Sequence, residues 1–96
     1  MSNEAEDFLA MMAAERGASQ NTLSAYNRDI EQFLIFADAD DDLNLITPQT
    51  VQSFLQYLSS KHFAPKTLAR KLSAVREFCK FLYSEKIIKT ISNDIL

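Results

Sequence analysis

Pro65 opens the stretch that decides the fold, PKTLARKLSAVREFCKFL at residues 65–82. Apolar side chains recur there at steps of three and four residues, the spacing of one face of an α-helix; they are Leu68, Leu72, Val75, Cys79 and Leu82. Proline is favoured at the first helical position, but Ala64 before it has no side chain that can cap a helix. The stretch predicts a weakly capped helix of about five turns with one face in a core.

The opposite side of this helix is basic. At about 100° per residue, six side chains fall within about 120° of one another; they are Lys66, Ala69, Arg70, Ser73, Arg76 and Lys80, and only Glu77 interrupts them. Many solvated helix faces carry charge without binding anything. Here nearly all the charge has one sign, and the short Ala69 and Ser73 leave room for a surface to approach. This helix is therefore the best functional candidate.

Three more helices are predicted before it. The first covers about residues 3–15 and stops at Gly17, the second runs from Ser19 to about Ala37, and the third starts at Thr47-Pro48 and ends near Ser60. Their core stripes are Ala5, Phe8, Leu9 and Met12, then Leu23, Tyr26, Ile30, Phe33, Leu34 and Ala37, then Val51, Phe54, Leu55 and Leu58. Tyr83 is also assigned to the core, whereas Tyr57 lies off its stripe and could pack between helices or contact a neighbouring molecule. With one glycine and two prolines in 96 residues, the predicted fold is an all-α four-helix bundle.

The outer side of the second helix is small and polar; it comprises Asn21, Ser24, Ala25, Arg28 and Gln32. Such a side can approach a phosphate backbone or simply face solvent, and the residues alone favour solvent.

The formal net charge of −3 is an average over two unlike parts. Residues 1–60 carry two basic and ten acidic side chains, a net of −8, whereas residues 61–89 carry eight basic and two acidic ones, a net of +6. Asymmetry of this kind indicates an interaction surface that the total conceals.

Several classes of protein and site are excluded. The longest apolar run, residues 8–14, is far shorter than the roughly 20 residues of a membrane span, and no secretory signal opens the chain. A single cysteine, Cys79, rules out an internal disulfide and fits the cytoplasm. The acidic run at residues 38–42 lacks the spacing of a calcium loop and is interpreted as a solvated connector. His62 and the buried Cys79 form no nucleophile–base pair or zinc site, so we expect no metal, no cofactor and no enzyme activity in this chain.

Three segments are familiar in combination. ERGASQNTLSAYNRDI at residues 15–30 is followed by Phe33; Ile46-Thr47 leads into Val51 and Phe54-Leu55; APKTLARKLSAVREF at residues 64–78 ends in Phe81-Leu82. Together they resemble the N-terminal core-binding domain of tyrosine recombinases and phage integrases, the Xer type most closely. The resemblance covers about residues 5–96.

The resemblance implies a four-helix, SAM-like domain spanning residues 1–96 that lies on one face of a recombination core site. Its second and fourth helices would cross the duplex, while a separate C-terminal domain, expected beyond Leu96, would cleave and rejoin strands. The family's His-x-x-Arg box is not present, because Pro65 stands three residues after His62. No tyrosine of this chain is therefore nominated as the nucleophile.

By position, the resemblance nominates eight DNA-contacting residues: Thr22, Arg28, Lys66, Thr67, Arg70, Lys71, Ser73 and Arg76. Lys71 faces nearer the core and could instead lay its stem along apolar surface. The implied partners are double-stranded DNA and other recombinase protomers in a tetrameric synapse, with the isolated domain a monomer. The first helix could contact a neighbouring protomer through residues Glu4 to Met12, where Met11 adds flexible apolar surface beside Phe8 and Met12, although burial of both methionines in the core is preferred. The alternative function is a helical protein–protein interaction module that does not bind DNA.

Overall fold

The computed structural model describes residues 3–39 and 41–89. In these ranges the chain forms no strand and four α-helices, namely α1 (Asn3–Arg16), α2 (Gln20–Phe36), α3 (Pro48–Ser59) and α4 (Pro65–Ser84), with a short 3₁₀ helix at Leu43–Leu45 before α3. The predicted all-α, four-helix fold is confirmed, with boundaries within about two residues of those predicted. Within the same ranges, no helix is both long and apolar enough to cross a bilayer.

Local sequence explains the turn between α1 and α2. Gly17 adopts a positive φ of 61°, and the Ala18 N–H donates back to the Met12 carbonyl at 3.2 Å, which closes the chain over the end of the helix. Ser19 then caps α2, since its Oγ accepts from the Thr22 N–H at 3.2 Å. Both signals were predicted from residue type.

The first turn of α3 is capped by side chains and that of α4 is not, as their sequences predict. Thr47 and Thr50 form a reciprocal capping box, in which each side-chain oxygen accepts from the other residue's N–H, at 3.2 and 3.3 Å. Ala64, before Pro65, makes no side-chain cap. The weak cap predicted for α4 is confirmed, and the N-terminal N–H groups of this helix lack a side-chain acceptor.

Helix α4 packs against the other three helices and carries the centre of the core. Phe8 of α1 meets Phe78 of α4 edge to face with ring centroids 5.5 Å apart, and Phe33 of α2 meets Phe54 of α3 at 5.1 Å. All four rings are fully buried. Aromatic pairs in edge-to-face contact, such as Phe8 and Phe78, add to the stability gained from their buried area.

Because α4 has neighbours on several sides, the buried arc is wider than the predicted stripe. Phe78 and Ala74 are fully buried although neither lies on that stripe, whereas Leu68 and Leu72 are only partly buried. The assignment of Tyr83 to the core was wrong, since its side chain is 46% exposed. It follows Leu82 in the chain and points about 100° away from it.

The outer side of α2 also needs one correction. Ala25 was placed on the exposed side, but it is only 8% exposed. It lies four residues before Asp29, which faces α4, so Ala25 stands on that same side of the helix. Its small side chain occupies the interior next to the most extensive helix–helix contact of the fold.

Other side chains lie as predicted. Tyr57 packs between α2 and α3, with its ring centroid 5.1 Å from Phe36 and 6.0 Å from Phe54. Met12 is buried and Met11 packs against the core, which confirms the preferred prediction for both. The acidic connector at residues 38–42 is only partly as predicted: Asp38, Asp41 and Asp42 are exposed, Ala39 is fully buried, and Asp40 lies outside the described residues. Asp42 also caps the 3₁₀ helix by accepting from the Asn44 N–H at 3.0 Å.

Candidate nucleic-acid interface

The outward side of α4 carries a row of uncompensated cations. Lys66, Arg76 and Lys80 are exposed, with Ala69 exposed and Ser73 half-buried between them. Within residues 3–39 and 41–89, none of these three cations takes part in a salt bridge. From Lys66 to Lys80 the row is about 21 Å long, at about 1.5 Å per residue.

Glu77, the acid that interrupts this row, is neutralised from α1. Its Oε1 accepts from Nη1 of Arg16 at 2.9 Å, and this hydrogen bond together with the charge of Glu77 raises the pKa of Arg16. Because Arg16 is the last residue of α1, the pair also ties that helix end to α4. The negative charge predicted within the basic face is therefore cancelled.

Asp29 of α2 is the charged centre of the α2–α4 contact. Its side chain is 1% exposed, and it accepts from Nε of Arg70 at 2.8 Å on Oδ2 and from Nη2 of Arg70 at 3.1 Å on Oδ1. Nζ of Lys71 donates to the same Oδ1 at 2.9 Å. A buried carboxylate is stable only when it is paired and hydrogen-bonded in this way. The hydrogen bond to Asp29 raises the pKa of Arg70.

Arg70 and Lys71 differ in how far they reach solvent. The side chain of Arg70 is 36% exposed, whereas that of Lys71 is 12% exposed. Nζ of Lys71 also donates to Oε1 of Gln32 at 2.8 Å and lies 5.2 Å from the centroid of the Phe63 ring, a cation–π contact. Lys71 therefore lies inward along apolar surface, the second of its two predicted placements.

The other nominated residues are dispersed. Thr67 is half-buried in the first turn of α4, while Thr22 is exposed at the start of α2, where its Oγ1 accepts from Oγ of Ser19 at 3.0 Å. Arg28 is exposed and borders a groove of about 440 Å³ with Ile35, Phe36 and Tyr57. The structure thus brings Arg70 and Lys71 together on Asp29, and no described contact joins Arg28 or Thr22 to α4.

Asp29 is the residue at this surface that sequence reasoning missed. The signal was present, because Asp29 lies three residues after Tyr26 and four before Phe33, which is the spacing of the α2 core stripe. A carboxylate on a buried stripe requires cationic partners, and the adjacent Arg70 and Lys71 of the basic helix were the available ones. Arg16 and Gln32 gave no such signal.

The part of the chain that the structure describes holds no cluster of three or more side chains able to ligate a metal ion. Cys79 is 1% exposed, and burial raises the pKa of its thiol to about 12. A thiol in this environment is unreactive. Its predicted burial in the core is confirmed.

The sequence of the chain matches a known protein family and several curated relatives. The family model of the phage integrase N-terminal SAM-like domain matches residues 5–86. Tyrosine recombinase XerD of Brucella abortus biovar 1 (strain 9-941) is 45% identical over 86 residues, covering 83% of the chain and 26% of that protein. The proteins of the same name from Rhizobium meliloti (strain 1021) and Caulobacter vibrioides (strain ATCC 19089 / CIP 103742 / CB 15) are 43% and 40% identical, covering 83% and 84% of the chain and 26% and 27% of those proteins. No solved structure matches the chain.

The chain spans roughly a quarter of the length of these curated relatives. The family match nevertheless extends from the first turn of α1 to just past the end of α4. It therefore includes the α2–α4 contact, the basic row and the buried aromatic core. This chain belongs to the family of phage integrase N-terminal SAM-like domains, of the type found in XerD tyrosine recombinases.

Proposed function

We propose that the chain is the DNA-binding domain of a site-specific tyrosine recombinase. It holds one face of a double-stranded recombination core site through α2 and α4, while a catalytic domain outside this chain cleaves and rejoins the strands. The chain itself then contributes no catalytic residue and no cofactor. In the complete protein, further protomers assemble on the same DNA in the cytoplasm.

The observation that carries this proposal is the row of free cations on α4. The major groove of B-DNA is about 12 Å wide, so a row about 21 Å long reaches phosphates on both of its edges. Lys66, Arg76 and Lys80 have no acidic partner among the described residues, and Glu77 is already paired with Arg16. Their charge is therefore available to phosphates, and the small Ala69 and Ser73 allow close approach.

The eight nominated residues take different roles in this proposal. Lys66, Arg76 and Arg28 contact phosphates, Thr22, Thr67 and Ser73 donate hydroxyl hydrogen bonds, and Arg70 approaches from the flank nearest α2. Lys71 is tied to Asp29, and it acts through that residue rather than by touching DNA. Lys80, which was not nominated individually, joins the phosphate contacts because it is exposed on the same row.

The test is the salt dependence of binding to a labelled recombination-site duplex. Each phosphate neutralised adds about −0.9 to the slope of log affinity against log salt, so the four phosphate-contacting cations give a slope of about −3.6 and an affinity loss of about 150-fold between 50 and 200 mM salt. An Arg76→Gln/Lys80→Gln variant leaves Lys66 and Arg28 as phosphate contacts and should reduce the slope to about −1.8.

Lys86→Gln/Lys89→Gln is the matched control, since it removes the same charge from exposed residues beyond the end of α4. It should leave the slope unchanged if the row on α4 makes the contacts. No binding at low salt, or equal effects of the two double variants, would refute the proposal.

A second function, protein–protein interaction, is favoured by one surface. Ile35 is 67% exposed and Phe36 39% exposed, and both border the groove that Arg28 and Tyr57 share. Sedimentation of the chain without DNA tests this function. We expect a monomer; stable self-association, lost in an Ile35→Ser variant and accompanied by no duplex binding, would support the second function instead.

A further inference from the structure

Asp29, Arg70 and Lys71 form the Asp29 cluster, in which one buried carboxylate binds two neighbouring basic residues of α4 that differ in exposure. Asp29 accepts three hydrogen bonds, two from Arg70 and one from Lys71, with donor–acceptor distances of 2.8, 3.1 and 2.9 Å. The carboxylate is buried and comes from another helix. Arg70 and Lys71 are therefore oriented by α2 and are not free to move with the solvated row of α4.

The contact with Asp29 uses one edge of the Arg70 guanidinium and leaves the other available. Arginine has five N–H donors, and Asp29 takes the one on Nε and one on Nη2. The N–H groups that remain lie on Nη1 and Nη2, at the end of the side chain. A planar guanidinium presents these two nitrogens as a fork that fits paired acceptors.

Guanine offers such a pair of acceptors in the major groove, at O6 and N7. Arg70 is 36% exposed, and it lies in the same angular sector of α4 as Lys66 and Ser73. A guanidinium that is already held on one edge meets a base edge in one orientation, which favours discrimination between bases over general attraction to phosphate.

Lys71 makes no comparable contribution. Its ammonium is shared among Asp29, Gln32 and the Phe63 ring, and only 12% of its side chain is exposed. Its positive charge offsets the negative charge of Asp29. Asp29, Arg70 and Lys71 together therefore carry a net charge of +1. That remaining charge lies on the exposed member, Arg70.

We propose that Asp29 is a positioning residue for sequence recognition, which holds the free edge of Arg70 toward a guanine in the major groove while Lys71 serves only to balance its charge. This inference rests on the proposed DNA-binding function and adds a role for a residue that itself touches no DNA. It predicts that a change at Asp29 alters sequence preference rather than general affinity.

The experiment compares two duplexes at one low salt concentration. One is selected from a randomised pool by the unaltered chain, and the other is a scramble of the same composition. The readout is the ratio of the two affinities. If the unaltered chain binds neither duplex, the proposed function fails and the inference fails with it. If it binds DNA but selects no preferred sequence, the inference alone is overturned.

Asp29→Asn/Lys71→Met is the main variant. It removes one negative and one positive charge, so the net charge of the chain is unchanged and no lysine ammonium is left unpaired in the cluster. We expect the affinity ratio to fall about 5- to 150-fold, the value of one bidentate arginine–guanine contact, while the salt slope stays the same. An unchanged ratio overturns the inference, as does an equal loss of both affinities.

Two further variants separate positioning from a merely structural role. Arg70→Lys keeps the charge but cannot form the fork, and it should lower the ratio as much as the Asp29 variant does. Combining Arg70→Lys with Asp29→Asn/Lys71→Met should cause no further loss, because both changes act through one contact. Lys71→Met alone should preserve the ratio; a loss there as large as that of the main variant overturns the inference. Thermal unfolding monitored by circular dichroism confirms that each variant is folded at the assay temperature.

Discussion

Replacing Asp29 with alanine removes the acceptor of three hydrogen bonds and leaves Arg70 and Lys71 without their counter-charge. Breaking a buried ion pair by deleting one partner costs about 3–5 kcal/mol, because the other charge stays buried and unpaired. Arg70 is 36% exposed and Lys71 12% exposed, so the guanidinium can return to water more easily than the ammonium. We therefore expect a cost at the lower end, about 3 kcal/mol.

Thermal unfolding measures this cost. In a domain of this size, 1 kcal/mol corresponds to about 4–8 °C in melting temperature, so Asp29→Ala should lower it by about 12–24 °C. Glu77→Ala is the matched control, because it breaks the salt bridge to Arg16. The side chain of Arg16 is 51% exposed and that of Glu77 is 24% exposed. A hydrated pair of this kind is worth about 0–1 kcal/mol.

The contrast between these two variants tests whether the burial of Asp29 makes its ion pairs costly to break. If Asp29→Ala lowers the melting temperature no more than Glu77→Ala does, the carboxylate is not held in a low-dielectric contact. Adding Lys71→Met to Asp29→Ala should recover part of the loss, because it removes the unpaired ammonium and keeps an apolar stem. No recovery would show that the ammonium escapes to solvent without cost.

Three further predictions concern the core and a turn. Phe78→Ala should cost about 3–5 kcal/mol in urea unfolding, since the ring is fully buried against Phe8; a loss below 1 kcal/mol would contradict the packing described. Burial raises the pKa of Cys79 from near 9 to about 12, so the thiol ionises at lower pH in the unfolded chain than in the folded one. The free energy of unfolding should therefore be unaffected by this thiol below pH 9. Between pH 9 and 12 it should fall by about 1.4 kcal/mol per pH unit more than in Cys79→Ala. Parallel curves for the two proteins would refute this assignment. Gly17→Ala should cost about 1 kcal/mol in the same unfolding assay, entirely through its φ of 61°, because a Cβ there meets no atom within 4 Å; an unchanged stability would mean that α1 ends differently.

Much of this fold is predictable from local signals. Gly17, Ser19 and the Thr47-Pro48 pair mark helix ends through their own backbone preferences and side-chain oxygens, and each marks the end that the structure shows. The burial of Ile30 and Phe33 follows from spacing along a single helix. These features need no knowledge of what lies opposite.

The errors occur where the neighbouring helix decides the environment. Ala25 was assigned to the outer side and Phe78 was left off the core stripe, yet both are buried because α4 packs against several helices. Tyr83, assigned to the core, lies beyond that packing and is exposed. Periodicity marks the centre of a buried face, but its width depends on how many partners surround the helix.

The basic side of α4 follows from the sequence alone, because residues at fixed steps along one helix must share a side. Which of those charges remain free is a property of the tertiary structure. Arg16 and Asp29 lie 61 and 41 residues from their partners in α4, and no periodicity connects such distant positions. Only the packing of α1 and α2 against α4 brings these opposite charges within hydrogen-bond distance, where the burial of Asp29 makes its pairing obligatory.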